Sequence, residues 1–157
     1  MKKLIFLIFL FFLLSSFNTQ FNYIDPTGTY KLNNIYKKDG DDEYGYSGLI
    51  QVKKINQKKI VMTFEVNKGA PSYNSGSFVD TLDYKENKAI FRDNKFDLTC
   101  KVIFDFRRKG INVIQETEDN NWGCGFGHGV VADGFYKKIS SKTPILKVPL
   151  TDENLEK

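Results

Sequence analysis

From residue 98 to 106 the chain alternates: Leu98, Cys100, Val102, Phe104 and Phe106 fall on one side, Thr99, Lys101 and Asp105 on the other. Successive side chains of a strand point to opposite faces, so this pattern predicts a half-buried strand with Cys100 facing inward. The same period sets Met62, Phe64 and Val66 against Thr63 and Glu65. No stretch after residue 20 carries a long apolar stripe with the 3.6-residue period of a helix. Turn formers interrupt the alternating runs, as in Lys37-Lys38-Asp39-Gly40-Asp41-Asp42, Asn56-Gln57, Asn67–Ser72, Lys85-Glu86-Asn87, Asp93-Asn94-Lys95 and Arg108-Lys109-Gly110. These residues tolerate the backbone angles that tight turns demand.

About eight strands result, near 27–37, 45–55, 59–67, 76–84, 88–92, 97–107, 111–117 and 129–139. Short links between successive strands predict an all-β antiparallel meander. Eight such strands with one buried face can close into a small up-and-down barrel, which would leave no exposed sheet edge. A two-sheet sandwich is the competing architecture. The domain is expected over 21–139, and residues 140–157, with Pro144, Pro149 and mixed charges, are expected to form a flexible tail.

The N-terminus follows a different pattern. Lys2 and Lys3 precede an unbroken apolar run from Leu4 to Leu14, and Ser15, Ser16, Asn18, Thr19 and Gln20 follow. The run is too short to span a bilayer, which takes roughly 18–20 apolar residues. A basic start, a short apolar core and a polar exit are the layout of a secretory signal peptide, expected over 1–20. Export places the domain in the periplasm or outside the cell, with no stable membrane anchor once the signal is cut.

Charge and composition narrow the chemistry. The full chain has 23 basic and 19 acidic residues; without the two N-terminal lysines the balance is 21 to 19. A nucleic-acid binder gains affinity from a concentrated basic surface, and with only Arg92, Arg107 and Arg108 as arginines nucleic acid is not an expected partner. One His and two Cys cannot assemble a zinc site of the usual Cys/His type. Asp39-Gly40-Asp41-Asp42-Glu43 lacks the twelve-residue pattern of a calcium loop. No metal or other cofactor is expected. Cys100 and Cys124, 24 positions apart, are an even pair in an exported chain and predict one disulfide.

The segment around the second cysteine is the least ordinary: Trp-Gly-Cys-Gly-Phe-Gly-His-Gly-Val-Val-Ala-Asp-Gly-Phe-Tyr over 122–136. If extended, its alternate glycines form one bare face, leaving Cys124, Phe126, His128 and Val130 on the other. One reading is a curved approach to the final strand, pinned by Cys124. The other is a binding lip presenting Trp122, Phe126 and His128. No helix opens after these glycines, so a dinucleotide loop is excluded. His128 with Asp133 could serve a hydrolase, but a nucleophile elbow or comparable signal is missing.

Cys124-Gly-Phe-Gly-His-Gly-Val130 followed by Ala132-Asp-Gly-Phe-Tyr-Lys-Lys138, with Cys100 in an alternating strand and Gly28-Thr29-Tyr30 early on, resembles the ending of small exported bacterial proteins of unknown function. Their scale and disulfide use are similar to those of periplasmic lysozyme inhibitors, some of which use a Ser-Gly-x-Tyr loop. Here Ser75-Gly76-Ser77-Phe78 is the nearest match, with Phe in place of Tyr. The resemblance implies an exported β domain, with a lysozyme or another envelope protein as a partner. Loops rich in Tyr, Ser, Asn and Gly, including Tyr73 and Ser75, suit adaptable binding. The expected function is non-enzymatic binding of a macromolecule through Tyr73, Ser75, Trp122, Phe126 and His128. The alternatives are a lipocalin-like carrier of a small apolar ligand, since eight-stranded barrels can hold one, and a hydrolase using His128.

Overall fold

The computed structural model describes residues 22–151 and 153–155; the proposed signal segment lies outside the described residues. Eight strands follow one another: β1 (Gly28–Asp39), β2 (Asp42–Lys54), β3 (Lys59–Lys68), β4 (Ser75–Asp83), β5 (Lys88–Phe91), β6 (Lys101–Arg107), β7 (Gly110–Glu116) and β8 (Gly134–Ser140). All pairings are antiparallel, in the order β4-β3-β2-β1-β8-β7-β6-β5. This is an up-and-down barrel in which β8 returns to β1. Among the described residues no helix is long and apolar enough to cross a membrane.

Closure is not complete. The expected absence of sheet edges fails between β4 and β5, which end the hydrogen-bonded order. The reason is length: β5 has four residues against the nine of β4, because the chain leaves the sheet after Phe91. Side chains seal this seam instead. Phe78 of β4 and Phe91 of β5 stack with centroids 3.9 Å apart and planes within 4° of parallel.

The inward faces follow the period of two and fill the interior. Tyr30, Leu32, Ile50, Val52, Met62, Phe64, Phe104, Phe106, Ile111 and Tyr136 are all essentially inaccessible. Phe64 is the hub, with Phe78, Phe104, Phe126 and Tyr136 around it at 5.1–6.0 Å. Offset and edge-on aromatic contacts of this kind add roughly 0.5–1.5 kcal/mol per pair beyond area burial. Burial holds the Tyr30, Tyr84 and Tyr136 phenols well above their ordinary range.

Antiparallel order puts the links after β2, β4 and β6 at one end of the barrel and those after β1, β3, β5 and β7 at the other. The first end is closed by residues 22–27: Tyr84 donates to the Ile24 carbonyl at 2.7 Å, Tyr30 to that of Pro26 at 2.7 Å, and Asn87 Oδ1 accepts from the Ile24 N–H at 2.8 Å. Beyond Ser140 the tail runs over the outer face of β2 and β3. Gln51 Nε2 donates to the Ile145 carbonyl at 3.2 Å, Gln51 Oε1 accepts from the Lys147 N–H at 2.8 Å, and a Glu65 carboxylate oxygen accepts from the Leu150 N–H at 2.8 Å. Gln51 and Thr63 are thereby buried on the outside of the barrel.

The first hairpin is longer than expected, β1 running to Asp39 and β2 starting at Asp42, and two strand limits differ more. Leu98 does not share the inward face of Cys100; β6 starts at Lys101, and Leu98 is 82% exposed. Asp97 accepts the Thr99 N–H at 2.9 Å on its side chain and the Cys100 N–H at 3.0 Å on its carbonyl, a local turn that displaces the strand. The last strand begins at Gly134 rather than 129. Gln115 Oε1 takes the Ala132 N–H at 2.8 Å and Asp133 takes the Gln115 N–H at 2.5 Å, so side chains replace ladder bonds there.

Candidate functional site

The end opposite residues 22–27 carries the longest links, 92–100 and 117–133, and Cys100 joins Cys124 across them. Three carboxylates shape these links by accepting backbone N–H groups, which an irregular loop must otherwise leave to water. The nearly buried Asp93 takes Lys95, Phe96 and Asp97 at 2.8–3.1 Å. Asp97 takes both the N–H and O–H of Thr99 on one oxygen, and the Cys124 N–H and Thr117 O–H on the other. Those bonds, Thr117 first, hold the Asp97 carboxyl well below the usual carboxylate range. Asp119 takes the Asn121 and Trp122 N–H groups at 2.8 and 3.1 Å.

The glycine segment is not extended. Gly123–Gly125 make a single 3-10 turn, with Cys124 at φ 64° and Gly125 at φ 68°. The predicted common face therefore breaks up: Cys124, Phe126 and Val130 are buried while His128 is exposed. The segment crosses the mouth of the barrel as a plug. Phe126 descends onto Phe64, with centroids 5.9 Å apart. Gly127 N–H reaches the Ser75 carbonyl at 2.9 Å, Asn74 Nδ2 the His128 carbonyl at 2.9 Å, and Tyr46 O–H the Gly129 carbonyl at 2.9 Å.

Outside this plug lies an open cleft of about 480 Å³, bounded by Phe96, Asp97, Asp119, Trp122, Gly125 and the rim of Phe126. Phe96 is 82% exposed and Trp122 59% exposed. Two large rings thus stand in water on braced loops that line one cleft.

The residues singled out in the sequence are distributed unevenly. Trp122 lines the cleft, and the His128 ring meets it edge-on at 5.2 Å. Phe126 touches the cleft but is only 4% exposed, so it is a core residue and not a presented one. Ser75 supplies its carbonyl to the plug. Tyr73 stands apart, exposed and donating to Asp42 on the β1–β2 hairpin, and does not line the cleft. Asp133 is engaged with Gln115 and forms no hydrogen bond with His128 among the described residues. Asp97 and the two sulfurs lie within 4.8 Å of one another, but disulfide sulfurs are not the thiolate ligands that metals select.

Sequence reasoning missed Phe96, Asp97 and Asp119. The available signal was a phenylalanine set in the otherwise polar run Asp93-Asn94-Lys95-Phe96-Asp97, where no alternation explains it.

Comparison of the chain with family models, curated proteins and solved structures returns no match.

Proposed function

We propose that this is an exported, non-enzymatic domain that binds a macromolecular partner through the Phe96–Trp122 end of the barrel. The observation that carries the reading is the cleft itself: two exposed rings on loops braced by a disulfide and three carboxylates. Loops already fixed in place lose little freedom on binding, which improves affinity. Aromatic anchors dominate the energetics of protein interfaces. The disulfide agrees with an oxidising compartment, and the sequence resemblance favours an envelope protein such as a lysozyme as the partner.

A carrier role draws no support from the interior, which Phe64, Phe104, Phe106, Tyr30 and Tyr136 fill. The inhibitor form of the proposal is tested by adding the purified domain to a panel of lysozymes in micromolar excess. Loss of lytic activity is expected for at least one; full activity throughout removes that form.

A further inference from the structure

Resting on that reading, we infer that the cleft holds a cationic side chain of the partner, arginine in preference to lysine, between Phe96 and Trp122 and against Asp119.

The chemistry of the walls selects the occupant. Phe96 and Trp122 offer exposed aromatic rings, and the faces of such rings attract cations. Both charged residues lining the cleft, Asp97 and Asp119, are acidic. Asp97 spends its oxygens on four loop hydrogen bonds, so it supplies a fixed negative charge and not a ligand contact. Asp119 differs. One of its oxygens caps the Asn121 and Trp122 N–H groups, which orients the carboxylate, and the other has no hydrogen-bond partner among the described residues. Gly125 in the cleft floor lets the Phe96 ring lie close against it: a Cβ there would fall 3.0 Å from that ring. Lys95 flanks the site on the same loop, exposed, without lining it. A planar guanidinium can stack on an indole and pair with a carboxylate together, whereas an ammonium acts as a point charge. An apolar group would leave the free Asp119 oxygen in a partly desolvated wall without a partner.

Trp122 is the one tryptophan of the chain, so its fluorescence reports on this cleft directly. The probes are blocked tetra-arginine, tetralysine and tetracitrulline peptides at constant ionic strength. The arginine peptide is expected to change Trp122 emission saturably, the lysine peptide to bind more weakly, and the neutral citrulline peptide to have no effect. Asp119→Asn keeps the capping oxygen and is expected to weaken arginine binding about tenfold, as is Phe96→Ala. Both side chains are exposed, and unchanged far-ultraviolet circular dichroism confirms that the variants fold. Equal binding of the citrulline peptide, indifference to Asp119→Asn, or a response to neutral chito-oligosaccharide with none to tetra-arginine would overturn the inference. Partner capture that is lost on Phe96→Ala/Trp122→Ala but unchanged by Asp119→Asn would overturn it too, leaving the binding reading intact.

Discussion

The ring of Phe126 lies directly over Gly76: a Cβ at position 76 would fall 2.4 Å from the Phe126 Cγ. The glycine of the Ser75-Gly76-Ser77-Phe78 run thus makes room for the plug that closes the barrel mouth. Gly76→Ala is expected to cost about 1–3 kcal/mol by overpacking, and Phe126→Ala about 3–5 kcal/mol by leaving a cavity beside Phe64. In the double variant the ring that collides is gone, so the combined cost should fall below the sum of the two. Denaturant unfolding of the four proteins measures this. Strict additivity would separate Gly76 from Phe126.

The disulfide fastens the cleft loops across a separation of 24 residues. Replacing both cysteines by serine should cost about 3 kcal/mol, from the freedom regained by the unfolded chain. Urea unfolding of Cys100→Ser/Cys124→Ser against the oxidised parent measures it. The Asp93 and Asp119 turns do not depend on sulfur, so a native-like barrel is expected below the transition.

Acid should weaken the fold through two carboxyls. Burial tends to raise the Asp25 pKa, but the Lys54 ammonium and the Thr27 N–H outweigh it and bring it to about 2. Asp97 lies low for the hydrogen-bonding reason given above. Both groups bind protons less readily folded than unfolded, where a carboxyl titrates near ~4. Their contribution is therefore complete above that value and is lost as the pH falls through the folded pKa. Stability should drop between pH ~4 and ~2, and Asp97→Asn should flatten the slope. An equal slope in the variant would remove Asp97 from the loop network.

The tail makes backbone bonds to Gln51 and Glu65. Hydrogen exchange should accordingly show the Lys147 and Leu150 amides protected relative to those of Ser141 and Thr143. Uniformly fast exchange from 141 onward would mean that the tail moves freely, as its composition alone suggests.

The meander and the cysteine pair were legible because burial on one side of a strand writes a period of two into the residues, and Cys100 carries that mark. Leu98 carries the same mark and is exposed, because Asp97 turns the chain before the strand begins. Alternation says which face a strand residue takes, but not where a carboxylate outcompetes the ladder. The glycine segment misled for a related reason. Positive φ at Cys124 and Gly125 folds it into a plug, and the pattern holds no trace of that. The cleft combines links far apart in sequence, so Phe96 and Trp122 become neighbours of one site only through the barrel and the disulfide. The seam between β4 and β5 depends on how early β5 ends, which the Asp93 turn decides.

The most direct test of a binding function at this end of the barrel is capture of partners from envelope extract, compared quantitatively between the parent and Phe96→Ala/Trp122→Ala. Both rings are exposed, so the variant should fold with unchanged stability. A saturable partner should be retained by the parent and lost from the variant. The same proteins captured in the same amounts by both would contradict it.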